Sequence, residues 1–192
     1  LETVKKNMEV FVRQSGPTHA YGLAVFSNSF YFVSPLTSDI ETFVFLLNRV
    51  ELGMLQGHGT RLSDALTSLL KLSDDVVSKA KLGGEIKTPY FVVITDGEDF
   101  SKTEFQLGDF EKYRGQFIFL GVGKDKAMPV PVWKGGQKSY LYDKQGQIVM
   151  SKPNFDSLKQ LARSTGGVFA PFEGTALKKI VGELSGSGGR GG

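Results

Sequence analysis

Apolar residues recur at Leu1, Val4, Met8, Phe11 and Val12, a spacing of three and four that predicts an amphipathic opening helix. The period then shortens. Tyr21 to Phe26 and Phe30 to Val33 are aromatic and β-branched runs on either side of Ser27-Asn28-Ser29, which predicts two strands joined as a hairpin. Ser38, with Glu41 three residues on, reads as a capping box. Behind it Ile40, Phe43, Val44 and Leu47 make one apolar helix face. Gly57 to Thr60 is a loop, and Leu62, Ala65, Leu66, Leu69 and Leu70 begin a helix that runs to Lys81 and is stopped by Gly83-Gly84.

Tyr90 to Thr95 is a further strand, followed by a weaker helix over Glu104 to Tyr113 and a strand over Gln116 to Val122. The rhythm breaks between Lys124 and Lys152. There Ser139 to Tyr142 and Gln147 to Met150 alternate around Lys144-Gln145-Gly146, which predicts a protruding β-hairpin. Asn154 caps a helix carrying Phe155, Leu158, Leu161 and Ala162 and ended by Gly166-Gly167. Val168 to Phe172 is the last strand, and Leu177, Ile180, Val181 and Leu184 share one face of the last helix. Strands alternating with helices predict an α/β fold, a doubly wound and mainly parallel sheet flanked by helices. One domain spans 1–184 with the hairpin 124–152 inserted, and 185–192 is a flexible Gly/Ser-rich tail.

The opening helix has no strand before it. Parallel sheets are built from strand–helix–strand units, and the first strand of a doubly wound sheet sits at its centre. Without it, two flanking strands would lie about 10 Å apart with unpaired inner edges. Either the sheet closes around this gap or a strand upstream of Leu1 fills it, and the cost of buried unpaired amides favours the upstream strand.

Composition adds exclusions. The 192 residues contain no cysteine, which removes disulfides, thiolate metal sites and a cysteine nucleophile. The net charge of +3 shows no visible cluster along the chain, so no basic stripe suggests nucleic acid. No apolar run approaches the ~20 residues that cross a bilayer.

Candidate chemistry lies at the end of the strand before Asp96-Gly97-Glu98-Asp99. At the carboxyl edge of a parallel sheet, loops line a crevice where ligands bind. Asp96 and Thr60 both belong there, and a carboxylate with a hydroxyl offers hard oxygens that suit Mg²⁺, Mn²⁺ or Ca²⁺. The plainer alternative makes Asp96 and Glu98 loop acids and Thr60 a helix N-cap.

Gly57-His58-Gly59-Thr60 before Leu62-Ser63-Asp64-Ala65-Leu66, and Val93-Ile94-Thr95-Asp96-Gly97-Glu98, resemble the second and third metal-site motifs of von Willebrand factor type A domains. The resemblance is closer to the aerotolerance (Bat) membrane proteins of bacteria. Phe32 to Asp39, Gly121-Val122-Gly123, Met128 to Trp133 and Ala162 to Gly167 extend it over nearly the whole chain. It implies a metal-ion-dependent adhesion site in which Thr60 and Asp96 meet a divalent cation, usually Mg²⁺, flanked by Gly59, Gly97, Glu98 and Asp99. An acidic side chain of a protein partner would complete the coordination. The family's Asp-x-Ser-x-Ser motif is absent from the chain, and Ser27-Asn28-Ser29 falls in a hairpin turn. The resemblance places that motif just before Leu1, so cation binding by this chain alone is expected to be weak or absent. It also implies a protein anchored in the bacterial inner membrane with this domain in the periplasm.

Two other functions compete with an interaction module. A metal-assisted phosphoryl transferase would use Gly121-Val122-Gly123-Lys124, but that run lacks phosphate-loop spacing, and His19 and His58 sit in no nucleophile motif. A scaffold with an inactive metal site would bind through the hairpin, where Trp133, Tyr140 and Tyr142 are hot-spot residue types. Alternatively those rings pack the hairpin onto the body.

Overall fold

The computed structural model describes residues 1–16, 19–55, 59–80, 89–102, 104–123, 126–134, 137–173, 176–177, 179–180 and 182. The opening periodicity yields α1 (Glu2–Ser15), which buries Val12. The hairpin follows as β1 (Tyr21–Phe26) and β2 (Phe30–Thr37), antiparallel, with Ser27 N–H donating to Ser29 C=O across the turn. β2 runs four residues past Val33 and carries Pro35, which suits an edge strand because proline has no ladder donor.

α2 (Ile40–Asn48) corrects the capping box. Asp39, not Ser38, is the N-cap, accepting from Thr42 N–H at 3.1 Å and Thr42 Oγ1 at 2.6 Å. A carboxylate is the stronger acceptor at a helix N-terminus. Glu41 is spent on Arg13 of α1, at 2.5 and 3.0 Å. The same two helices meet at Lys5, buried, whose ammonium reaches Asn48 C=O at the end of α2 and Glu2 of its own turn.

α3 (Leu62–Ala80) leads towards β3 (Phe91–Thr95), and the predicted Gly83-Gly84 stop lies outside the described residues. The weaker helix predicted over Glu104 to Tyr113 is a short 3-10 segment, Gly108–Tyr113, in which Phe110 departs from helical dihedrals. Phe105 and Leu107, ahead of that segment, fill the core. β4 (Phe117–Gly121), α4 (Phe155–Thr165) and β9 (Val168–Pro171) stand where the pattern placed them, with Asn154 capping α4 through Ser157 N–H. Of the last helix, Leu177 and Ile180 are described and pack as predicted, while Val181 and Leu184 lie outside the described residues, as does the tail.

β3, β4 and β9 form a parallel sheet in that order, flanked by helices, so the chain is a mixed α/β protein. β4 is central and buried throughout, and its alternation divides the core. Phe117 and Phe119 join Leu62, Leu66 and Leu70 of α3 and Leu158 of α4 on one face, whereas Ile118 and Leu120 join Leu177 on the other. Met8 and Phe11 of α1 pack both against this second face and against the α2 cluster of Phe43, Val44 and Leu47, so α1 bridges the two halves.

The sheet has not closed around the gap that the opening helix implied. β1–β2 and β3–β4–β9 are separate sheets. Phe91 N–H donates to Gln116 C=O and Val122 N–H to Thr95 C=O, both at 2.9 Å. Alternation therefore turns the Val92 and Ile94 amides towards the opposite edge of β3, where no strand pairs among the described residues.

The insertion is larger than a hairpin. Its strands are β5 (Met128–Pro129), β6 (Pro131–Lys134), β7 (Gln137–Tyr140) and β8 (Met150–Ser151). β6 pairs with β7 and β5 with β8, all antiparallel, and Tyr142 bridges Ile148 beside the predicted Lys144-Gln145-Gly146 turn. Val130 C=O accepts from Leu141 N–H, Leu141 C=O from Val149 N–H and Val149 C=O from Val130 N–H, so the three paired pieces meet at these residues as one ribbon. No helix among the described residues is long and apolar enough to cross a membrane.

Candidate functional site

Asp96 sits one residue beyond β3, half-buried at the carboxyl edge, and Thr60 sits two residues before α3, also half-buried. Their loops are fastened together. Phe100 N–H donates to Thr60 C=O at 2.7 Å, and the ring of Phe100 lies where a Cβ on Gly59 would come within 3.1 Å. Arg61 N–H donates to Ser27 C=O at 2.8 Å, so the hairpin turn joins the same edge. His58 lies outside the described residues. His19, exposed before β1, has its ring centroid 6.3 Å from that of Tyr21.

Asp99 explains much of the arrangement. Its carboxylate accepts from Leu62 N–H at 2.9 Å, Ser63 N–H at 3.1 Å and Ser63 Oγ at 2.6 Å, and Ser101 Oγ accepts from Asp64 N–H at 3.4 Å. The first amides of a helix have no partner within it. Here they are capped by a different loop, about forty residues downstream, and the bond is favoured by the positive helix N-terminus. Thr60 is therefore not the N-cap. Partial burial pushes the Asp99 carboxyl up, but hydrogen bonds from Ser101 and Ser63 outweigh it and hold the group below the usual carboxylate range.

Glu98 accepts from Ser151 Oγ at 3.0 Å, which ties the loop to the end of the ribbon. Asp96 Oδ1 accepts from Glu98 N–H at 3.2 Å, and Asp96 C=O from Asn154 N–H at 2.7 Å. Gly97 makes this approach possible. Its φ of 81° is left-handed, and a Cβ there would meet Asn154 O at 2.3 Å.

Asp96 and Thr60 supply the hard oxygens that a divalent cation takes, and no side-chain hydrogen bond occupies the Thr60 hydroxyl among the described residues. The donor count is short. No group of three or more His, Cys, Asp or Glu able to hold a metal occurs among the described residues. Asp99 is engaged by α3 and Glu98 by Ser151, so neither makes up the number. Thr60 and Asp96 fit hard-cation chemistry as part of a donor set, not as a whole one. Beside them runs a cleft of ≈ 560 Å³ lined by Glu98, Phe100, Lys152, Asn154, Asp156 and Lys159 among others. Neither Thr60 nor Asp96 lines it.

The fold has solved counterparts. The chain is similar to the conserved hypothetical protein BatB from Bacteroides thetaiotaomicron at 19% identity, with 96% of this chain and 88% of that one covered and a TM-score of 0.77. It is similar to an aerotolerance-related membrane protein from Bacteroides fragilis NCTC 9343 at 20% identity, with the same coverage and a TM-score of 0.74. No family model matches the chain, and no curated protein does. At such identity the likeness is one of fold, and chemistry has to be argued from the residues themselves.

The sequence reading missed the trans-cap. Its signal was present: Asp99 and Ser101 are spaced as an Asx turn, with Ser101 N–H donating to Asp99 Oδ1 at 2.8 Å. Of the three residues assigned to the insertion, Tyr140 and Tyr142 are exposed, and the Trp133 side chain lies outside the described residues.

Proposed function

We propose that this chain is a protein-interaction module of a Bat-type protein, binding at the carboxyl edge of its parallel sheet. The observation that carries the reading is the fastening of the 96–101 loop onto the start of α3, which brings the loops of Thr60 and Asp96 together while other groups satisfy the helix. In this reading Thr60 and Asp96 hold part of a divalent-cation centre, with Gly59, Gly97 and Glu98 flanking it. The remaining ligands come from a strand that fills the seam along the Val92–Ile94 edge. The cation would supply positive charge to which a partner's carboxylate is drawn.

In this reading the full protein sits at the bacterial inner membrane with this domain on the periplasmic side; likeness to a protein described as a membrane protein supports only the membrane part. In this reading the module is not an enzyme.

The test is calorimetric titration of the full-length protein with Mg²⁺ and Mn²⁺ alone. Uptake is expected in the native protein and lost in Asp96→Ala at an unchanged melting temperature. Equal metal affinity in the two proteins would sink the cation reading. A second reading, docking through the insertion, is favoured by the exposure of Tyr140 and Tyr142.

A further inference from the structure

The sequence of the insertion holds six lysines (Lys124, Lys126, Lys134, Lys138, Lys144 and Lys152) and two aspartates (Asp125 and Asp143), a net +4. The whole chain carries +3, so the other residues together sum to −1. The positive excess, which shows no cluster when the chain is taken as a whole, therefore belongs to one segment.

The structure adds sidedness. Along the ribbon Val130, Val132, Ser139, Leu141 and Val149 are half-buried, and the residues alternating with them (Pro131, Tyr140, Tyr142, Ile148 and Met150) are exposed. Pro131 stands opposite Tyr140, Pro129 opposite Met150 and Tyr142 opposite Ile148. Directly paired residues project to the same side, so these side chains form one strip across the strands. Tyr140 is 38% exposed, Ile148 42%, and Tyr142 and Met150 52% each. Single exposed apolar residues are ordinary, but a contiguous strip marks a docking surface.

Charge selects the occupant. A second copy would set +4 against +4. Lys138 alternates onto the exposed face, and Lys144 lies in the turn at its end. Asp143 is occupied within that turn, accepting from Gln145 N–H at 2.9 Å and Gln147 N–H at 2.8 Å. Neither of the two clefts described is lined by the strip. Tyrosines and aliphatic side chains fringed by lysines suit the boundary of a bilayer, with rings at headgroup depth and ammonium groups against anionic lipid.

We propose that the exposed face of the ribbon, built on Tyr140, Tyr142, Ile148 and Met150 with Lys138 and Lys144 beside them, docks on an anionic lipid surface. The strip includes neither Thr60 nor Asp96, and its test does not depend on a metal.

The full chain is sedimented with sucrose-loaded vesicles of phosphatidylcholine alone or mixed with phosphatidylglycerol. Binding to the anionic vesicles is expected to be at least about tenfold stronger than to the neutral ones and largely lost at about 0.5 M salt. Lys138→Gln with Lys144→Gln is expected to weaken anionic-vesicle binding about thirtyfold. Tyr140→Ser with Tyr142→Ser lowers binding to anionic vesicles while the melting temperature holds. Equal binding to both vesicle types, no binding, or full binding by the tyrosine pair variant overturns the proposal. So does binding of poly-glutamate through the same residues without vesicle binding, which would assign the surface to an acidic protein. Self-association lost in the tyrosine variant without vesicle binding would assign it to a second copy.

Discussion

The 96–101 loop and the 128–151 ribbon invert each other. The loop is the most acidic stretch beside a strand end, yet its carboxylates are turned to internal use. Asp99 caps α3, Glu98 holds Ser151, and Asp96 closes its own turn. The ribbon is rich in aromatic and aliphatic residues, yet among the described ones it leaves Met128, Tyr140, Tyr142, Ile148 and Met150 exposed. These three carboxylates are paired, as expected where an unpaired polar group costs far more than a pair returns. Apolar groups on a surface carry no such compulsion, which leaves the strip available for the docking proposed above. The comparison teaches that charge in a sequence is not by itself a site, and that a ring is not by itself core.

The largest break in this contrast is expected at Gly97. Gly97→Ala forces a left-handed alanine and a clash with Asn154 O, 2.3 Å from the added Cβ. Urea unfolding is expected to show a loss of about 2–4 kcal/mol. A change below the error of the measurement would mean that the loop is not held against α4.

Asp99→Ala comes next. It strips acceptors from two helix amides and the Ser63 hydroxyl, with an expected loss of about 1–3 kcal/mol. The sign of its pH dependence follows from the lowered carboxyl. The stabilisation is present above the unfolded-state value of about 3.9 and fades as pH falls through the folded-state value below it. Native protein and Asp99→Asn are therefore expected to differ in stability at neutral pH and to converge in acid. A constant difference across the range would show that shape, not ionisation, sets the cap.

The smallest effect on stability is expected in the ribbon. Tyr140→Ser and Tyr142→Ser should shift unfolding by no more than about 0.5 kcal/mol each, since both rings already meet water. A loss several times larger would mean that the rings hold the ribbon together, and the strip would cease to be evidence for a partner.

Local pattern was enough for the parts of the fold whose cause is local. The three-and-four spacing in 62–70 and the all-apolar run at 117–121 announce α3 and a strand buried on both faces, and both are observed. Asn154 announces its own helix because its side chain reaches only three residues on. Errors arose where partners are distant. Asp99 is forgone as a cap when read locally, because its helix lies 37 residues upstream. The 104–107 stretch has helical composition but lies outside regular helix, with Phe105 and Leu107 buried in the core. For the candidate site, residue types at Thr60 and Asp96 were legible, whereas the fastening between their loops was not.

By itself, then, the sequence determined the order of strands and helices, the parallel α/β class and the absence of thiol chemistry, since periodicity and composition are properties of the chain alone. Only the tertiary structure decided that the sheet stands in two parts, that α3 is capped from another loop, and which face of the ribbon is left to solvent. Those outcomes depend on hydrogen bonds and burial between residues far apart in sequence, and no window of neighbouring residues contains both ends of such a contact.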